Sequence, residues 1–267
     1  MTTSAIRPWF RRYGPAGREA ATRLVCLPHA GGAASLFRTW GGYLPPEVDL
    51  LATCYPGRQE RIGEACRDRM DVLADEIADA LLPLSDLPLA LFGHSMGASV
   101  AHEVALRLNR AGAPPAALFV SARQPPHRLE ARPEVDDGSI VDDVLRLDPD
   151  SAVALRDPHL RELVLPALRA DYRLVAGYRP GPLPLLDVPV TAYFGSEDPD
   201  VSPAEMREWA SVTTGEFRSR GFPGGHFYLT PHQAALVGDL AARLSAWSGQ
   251  RRPGQVRPSR IRATEGR

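Results

Sequence analysis

Leu89-Ala90-Leu91-Phe92-Gly93-His94-Ser95-Met96-Gly97-Ala98 is the stretch on which the fold turns. Four apolar residues run into Gly93-x-Ser95-x-Gly97, and apolar residues at helical spacing continue from Ala98 to Leu108. That order predicts strand, tight turn, helix, with Ser95 at the apex of a strained elbow. The two glycines carry no Cβ, so the strand and the helix can close on each other around that apex.

On the N-terminal side, Arg23–Leu27 and Asp49–Cys54 are continuous apolar runs, the character of parallel strands buried on both faces. Trp9–Arg12 is a short first strand, Ser35–Leu44 a short helix, and Met70–Leu82 an amphipathic helix that Pro83 ends. On the C-terminal side, Ala117–Ser121, Val188–Phe194 and Glu216–Phe222 are further strands, and Pro231–Trp247 is the last helix. Ser202 and Glu205 form a capping box for a helix over Pro203–Ser211. Strands alternating with helices imply an α/β protein with a mostly parallel central sheet flanked by helices.

The rhythm breaks between 123 and 186. That segment has proline-rich edges and helical pieces around Ser139–Leu147, Ser151–Leu155 and His159–Tyr178, without a strand. It reads as a helical lid over the strand C-termini, where open α/β sheets bind ligands. The chain thus divides into a core of residues 1–122 and 187–248, a lid insert of 123–186 and a tail of 249–267. From 251 onward the tail has six Arg against one Glu and little apolar content, the composition of a disordered segment.

The 267 residues suffice for one large domain with an insert, and 44% hydrophobic residues suit a real core. A net charge of −1 gives no general pull toward nucleic acid or anionic membrane. All 31 basic residues are Arg. No run approaches the length of a membrane span, and the N-terminus lacks the apolar core of a secretory signal. Cys26, Cys54 and Cys66 are odd in number and have no metal-like spacing, which fits a reduced, cytoplasmic protein without a metal.

A serine hydroxyl needs a base to take its proton, the base needs an orienting carboxylate, and the oxyanion needs donors. The chain supplies these in the order Ser, acid, His, each just past a strand, as in an α/β-hydrolase fold. Ser95 is the expected nucleophile, Asp198 the acid and His226 the base. Glu197 and Asp200 compete for the acid role; Asp198 is preferred because Pro199 fixes the turn directly after it. Of seven histidines only His232 rivals His226, which Gly224 and Gly225 place on a sharp turn. His94 is expected to point away from the site, and His102 to be packed or solvated on its helix. The oxyanion donors are expected from Met96 N–H, at the helix N-terminus, and from Ala30 in Pro28-His29-Ala30-Gly31-Gly32.

With these residues in place, the chain resembles the type II thioesterases of polyketide and nonribosomal peptide synthases. The resemblance runs from Arg7 to about Trp247. It rests on Leu27–Gly32, Tyr55-Pro56-Gly57-Arg58, Gly93–Ala98, Phe194–Pro199, Gly224–Phe227 and Leu168-Arg169-Ala170-Asp171-Tyr172. It implies an editing enzyme that hydrolyses stalled or aberrant acyl groups from the phosphopantetheine arm of an acyl or peptidyl carrier protein. It further implies a monomer without a cofactor, and carries the roles onto Ser95, Asp198, His226, Ala30 and Met96. The same triad would also serve a small-molecule carboxylesterase or an acyltransferase.

Overall fold

Buried strands that alternate their side chains between two apolar layers organise the molecule. A computed structural model of the chain describes residues 9–14, 20–130, 135–147, 153–180 and 184–250. In chain order these form β1 (Phe10–Arg12), β2 (Thr22–Leu27), β3 (Val48–Thr53), α1 (Met70–Leu81), β4 (Leu89–His94), α2 (Met96–Arg110) and β5 (Ala117–Ser121). Then come α3 (Asp137–Leu147), α4 (Val153–Arg156), α5 (Pro158–Gly177), β6 (Val190–Gly195), α6 (Pro203–Arg207), β7 (Phe217–Phe222) and α7 (Gln233–Gln250).

The strands pair in the order β1-β3-β2-β4-β5-β6-β7. All pairs are parallel except β1, which runs antiparallel to β3 at one edge. Strand alternation divides the core in two. Val25, Leu27, Leu91 and Leu118 face Leu73 and Ile77 of α1 and Val100 and Val104 of α2. Leu24, Cys26, Phe92 and Phe119 face Leu236, Val237 and Leu240 of α7. Burial on both faces is why the central strands read as continuous apolar runs.

The expected helix over Ser35–Leu44 is instead two short 3-10 turns, Ala34–Phe37 and Trp40–Gly42. Adjacent Gly41 and Gly42 each weaken a helix by about 1 kcal/mol relative to alanine. A Cβ on Gly41 would also lie 1.9 Å from the Tyr13 carbonyl oxygen. Pro189 has no N–H for the ladder, so β6 begins one residue later; its carbonyl still accepts from Leu118 N–H at 3.0 Å. The capping box forms as expected, with both reciprocal bonds present, but α6 tightens into a 3-10 turn from Glu208 onward.

The segment between β5 and β6 holds α3, α4 and α5, whose Ile140, Leu155 and Leu168 make a small core of their own. It sits over the C-terminal ends of the strands and shares a cavity with the strand loops. The arginine-rich stretch 251–267 lies outside the described residues. Among the described residues, no helix is long and apolar enough to cross a membrane.

Candidate active site

Ser95 occupies the turn between β4 and α2 with φ 54° and ψ −121°, a conformation that L-residues rarely adopt and that costs about 1–3 kcal/mol. A Cβ on Gly93 would lie 2.0 Å from the Gly97 carbonyl oxygen, and one on Gly97 would lie 2.1 Å from that of Leu27. Neither position can hold another residue without moving backbone. The second contact also draws the loop after β2 against the N-terminus of α2. Ser95 N–H donates to the Ser121 carbonyl at the end of β5, at 2.8 Å, which ties the elbow to the neighbouring strand.

At the far end of the sheet, the loops after β6 and β7 are fused. A Cβ on Gly195 would lie 2.2 Å from the Gly225 carbonyl oxygen. Ser196 N–H donates to the Phe222 carbonyl at 2.8 Å, and Glu197 N–H to that of Gly224 at 2.9 Å. This brings His226 Nδ1 to 2.9 Å from Asp198 Oδ2, with both side chains buried. Asp198 Oδ1 accepts Asp200 N–H at 2.9 Å, closing a turn. The competing carboxylates go elsewhere: Glu197 is exposed, and Asp200 pairs with Arg146 at 2.9 Å. His232 stacks on Phe222, away from this pair.

In the loop after β2, Gly31 N–H donates to Asp171 Oδ2 at 2.7 Å and Gly32 N–H to the His29 carbonyl at 2.9 Å. Ala30 N–H has no acceptor among the described residues. Met96 opens α2, so its N–H has no carbonyl one turn back to bond. Ser95, His226, Ala30 and Met96 all line one cavity of about 400 Å³. The structure therefore brings all five expected residues together, four on the cavity wall and Asp198 behind His226. A base held by a buried carboxylate, a serine on an elbow and two unengaged N–H donors can carry out acyl transfer through a tetrahedral oxyanion.

A family description, "Thioesterase domain", matches residues 22–244. The chain belongs to the thioesterase family. Thioester hydrolysis is the family's reaction. The chain is 42% identical over 238 residues to the probable cadicidin biosynthesis thioesterase of Streptomyces griseus, covering 88% of this chain and 66% of that protein. It is 40% identical over 245 residues to thioesterase PikA5 of Streptomyces venezuelae, covering 90% of this chain and 87% of PikA5. Among solved structures it superposes with a TM-score of 0.82 on the type II thioesterase BorB from the borrelidin biosynthetic cluster, at 41% identity. That match covers 88% of this chain and 97% of BorB.

The thioesterase cavity is roofed by α3 and α5. Val144, Leu147, Val164, Leu168 and Val175 give it apolar walls. Arg146 of α3 reaches both Asp143 and Asp200, bridging the lid to the loop that carries Asp198. Tyr172 of α5 donates to Asp143 at 2.8 Å.

Three groups around the site escaped the sequence reading. His94 does not point away: its ring centroid lies 5.2 Å from that of His226. Its Nδ1 is 2.8 Å from Ser121 Oγ, which is 2.6 Å from Tyr228 Oη. Burial pushes His94 well below the usual imidazole range, and the neighbouring His226 and His29 push it the same way, so it stays neutral beneath the site. Arg123 follows β5, lines the cavity and donates to Ser99 Oγ at 3.1 Å. Arg58 and Asp171 form a buried bidentate pair at 2.7 and 2.8 Å. Burial is the largest single influence and pulls the Arg58 guanidinium down, but the charge and hydrogen bonds of Asp171, with smaller help from Tyr55 and Cys66, together make the net shift upward. Those two residues stand 113 positions apart, a distance no local spacing rule spans.

Proposed function

We propose that this thioesterase is of the type II kind and hydrolyses acyl thioesters from the phosphopantetheine arm of acyl or peptidyl carrier proteins. It thereby clears aberrant or stalled chains during polyketide or nonribosomal peptide assembly. The observation that carries the reading is the meeting of Ser95, the His226–Asp198 pair and the Ala30 and Met96 N–H groups on one cavity with an apolar lid. The likeness to PikA5 and BorB over most of their length supports the same assignment.

In this reading Ser95 Oγ attacks the thioester carbonyl while His226 takes its proton. Negative charge develops on the carbonyl oxygen, which accepts from the Ala30 and Met96 N–H groups. Collapse breaks the C–S bond, and the pantetheine sulfur leaves as the thiol by taking the proton that His226 holds, which returns the imidazole to its neutral form. Water then attacks the acyl-Ser95 carbonyl, gives its proton to His226, and the carboxylic acid departs as Ser95 recovers its proton. Asp198 holds His226 in one tautomer throughout. A thiolate is a good leaving group, so attack and deacylation set the chemical barrier. The residues need no metal or cofactor for these steps.

The test is thiol release from acyl-carrier proteins, acyl-pantetheine and p-nitrophenyl esters, wild type beside Ser95→Ala. Faster release from the carrier, lost in the variant, is the expected result. Equal or better turnover of simple esters would replace the carrier reading with a small-molecule esterase.

A further inference from the structure

The loop that carries Ala30 is not held by the sheet. Its backbone groups end instead on side chains from two distant segments. Tyr55 Oη donates to the Pro28 carbonyl at 3.2 Å. Asp171 Oδ2, on the lid helix α5, accepts Gly31 N–H at 2.7 Å. Arg58 Nη1 donates to the Gly32 carbonyl at 3.0 Å and, with Nη2, grips Asp171. Leu168, one turn before Asp171, seals the contact: a Cβ on Gly31 would lie 2.5 Å from its Cδ2.

We propose that Arg58 and Asp171 are positioning residues for the hydrolysis, setting the Ala30 N–H in its oxyanion-binding place from the lid side. This rests on the assignment of Ala30 as a donor. The pair is almost fully buried, with side chains 9% and 2% exposed. A buried ion pair is a poor way to gain stability, because apolar replacements of similar volume generally serve as well or better. What apolar side chains cannot do is anchor Gly31 N–H and the Gly32 carbonyl, two backbone groups within two residues of Ala30. Committing Gly31 N–H to Asp171 also leaves Ala30 as the donor facing the cavity. The lid is therefore more than a cover for the acyl chain; its helix α5 completes the catalytic frame.

Two variants test this: Asp171→Asn, and the double replacement Arg58→Met with Asp171→Leu, which removes both charges and keeps an apolar fill. Each is assayed for kcat and KM on an acyl-pantetheine, for melting temperature, and for affinity toward an alkyl trifluoromethyl ketone, whose adduct with Ser95 mimics the oxyanion. The double variant is expected to melt near wild type yet lose kcat on the order of 10²-fold, the cost of an ångström-scale displacement. KM should stay within about threefold, and ketone affinity should fall in step with kcat/KM. A folded double variant with wild-type kcat, unchanged ketone affinity beside lost activity, or failure of the double variant to fold would each overturn the proposal. Turnover retained by Ser95→Ala would instead sink the reading of the site itself, whatever the clamp variants do.

Discussion

His226 Nδ1 and Asp198 Oδ2 lie 2.9 Å apart, with the two side chains 3% and 0% exposed. An ionised carboxylate can only accept, so the proton of neutral His226 sits on Nδ1 and Nε2 is left to accept. Asp198→Asn keeps the shape and reverses that logic, because the amide can donate to Nδ1 and move the proton to Nε2. The expected outcome is a kcat about 10³- to 10⁴-fold lower with an unchanged melting temperature. Stopped-flow acylation by an activated thioester measures it; a loss under about tenfold would mean that another carboxylate orients the base.

The strain at Ser95 makes a separate prediction about stability. With φ at 54° and ψ at −121°, the residue occupies a region open to glycine. Ser95→Gly relieves strain of about 1–3 kcal/mol and adds back up to about 1 kcal/mol of chain entropy. Ser95→Ala keeps the strain. Both variants should be inactive, and the glycine variant should melt about 2–4 °C above the alanine variant. Calorimetry on the pair checks this, and equal melting temperatures would show that the strain at the elbow does not exceed the roughly 1 kcal/mol of entropy that glycine adds.

The elbow, the Ser-acid-His order and the alternating strands were legible because each is local. Ser95 between Gly93 and Gly97, and His226 after Gly224-Gly225, announce their turns within a few residues. The choice of Asp198 over Glu197 and Asp200 followed from Pro199, and the geometry reaches His226 through the same carboxylate. The helix expected over Ser35–Leu44 gives way to two 3-10 turns because Gly41-Gly42 weaken a helix and Gly41 packs against the Tyr13 carbonyl, a contact made far away in the chain. His94 shares a face of β4 with Ala90 and Phe92, and what puts it beside the site is the loop carrying His226 and Phe227 packing on that face, a tertiary contact that local spacing does not show. Arg58 and Asp171 stood in two recognised motifs, but their pairing is a property of the tertiary fold.

The imidazole of His102 is fully buried on α2 against Trp209, and neither ring nitrogen has a partner among the described residues. Burial pushes it down to about 4, against a smaller upward pull from Glu103. In the unfolded chain it titrates near 6.5. Between these values the unfolded state binds a proton that the native state refuses, so stability rises with pH through this window and is fully present above it. At pH 5 the protein should be less stable than at pH 7 by about 2 kcal/mol from this group, and His94 adds in the same direction. Denaturant melts at the two pH values of wild type and His102→Met check the contribution. An equal pH dependence in the variant would remove His102 from the account.

Val164, Leu168, Tyr172, Val175 and Ala176 recur at three- and four-residue spacing along α5 and all line the cavity beside Ser95. This face therefore sets how much acyl chain the site can cover. Ala176 is the smallest member, and Ala176→Phe fills cavity from the α5 wall while leaving Ser95, His226 and Ala30 themselves unaltered. Each methylene excluded from an apolar wall forfeits about 0.8 kcal/mol, so a chain that loses three such contacts loses about 2.4 kcal/mol, roughly 50-fold in kcat/KM. Acetyl and propionyl thioesters carry little chain to exclude and should be hydrolysed at near wild-type rates. The check is a chain-length series of acyl-pantetheines on both proteins. A uniform loss at every length would mean that the α5 face supports the fold rather than measuring the substrate.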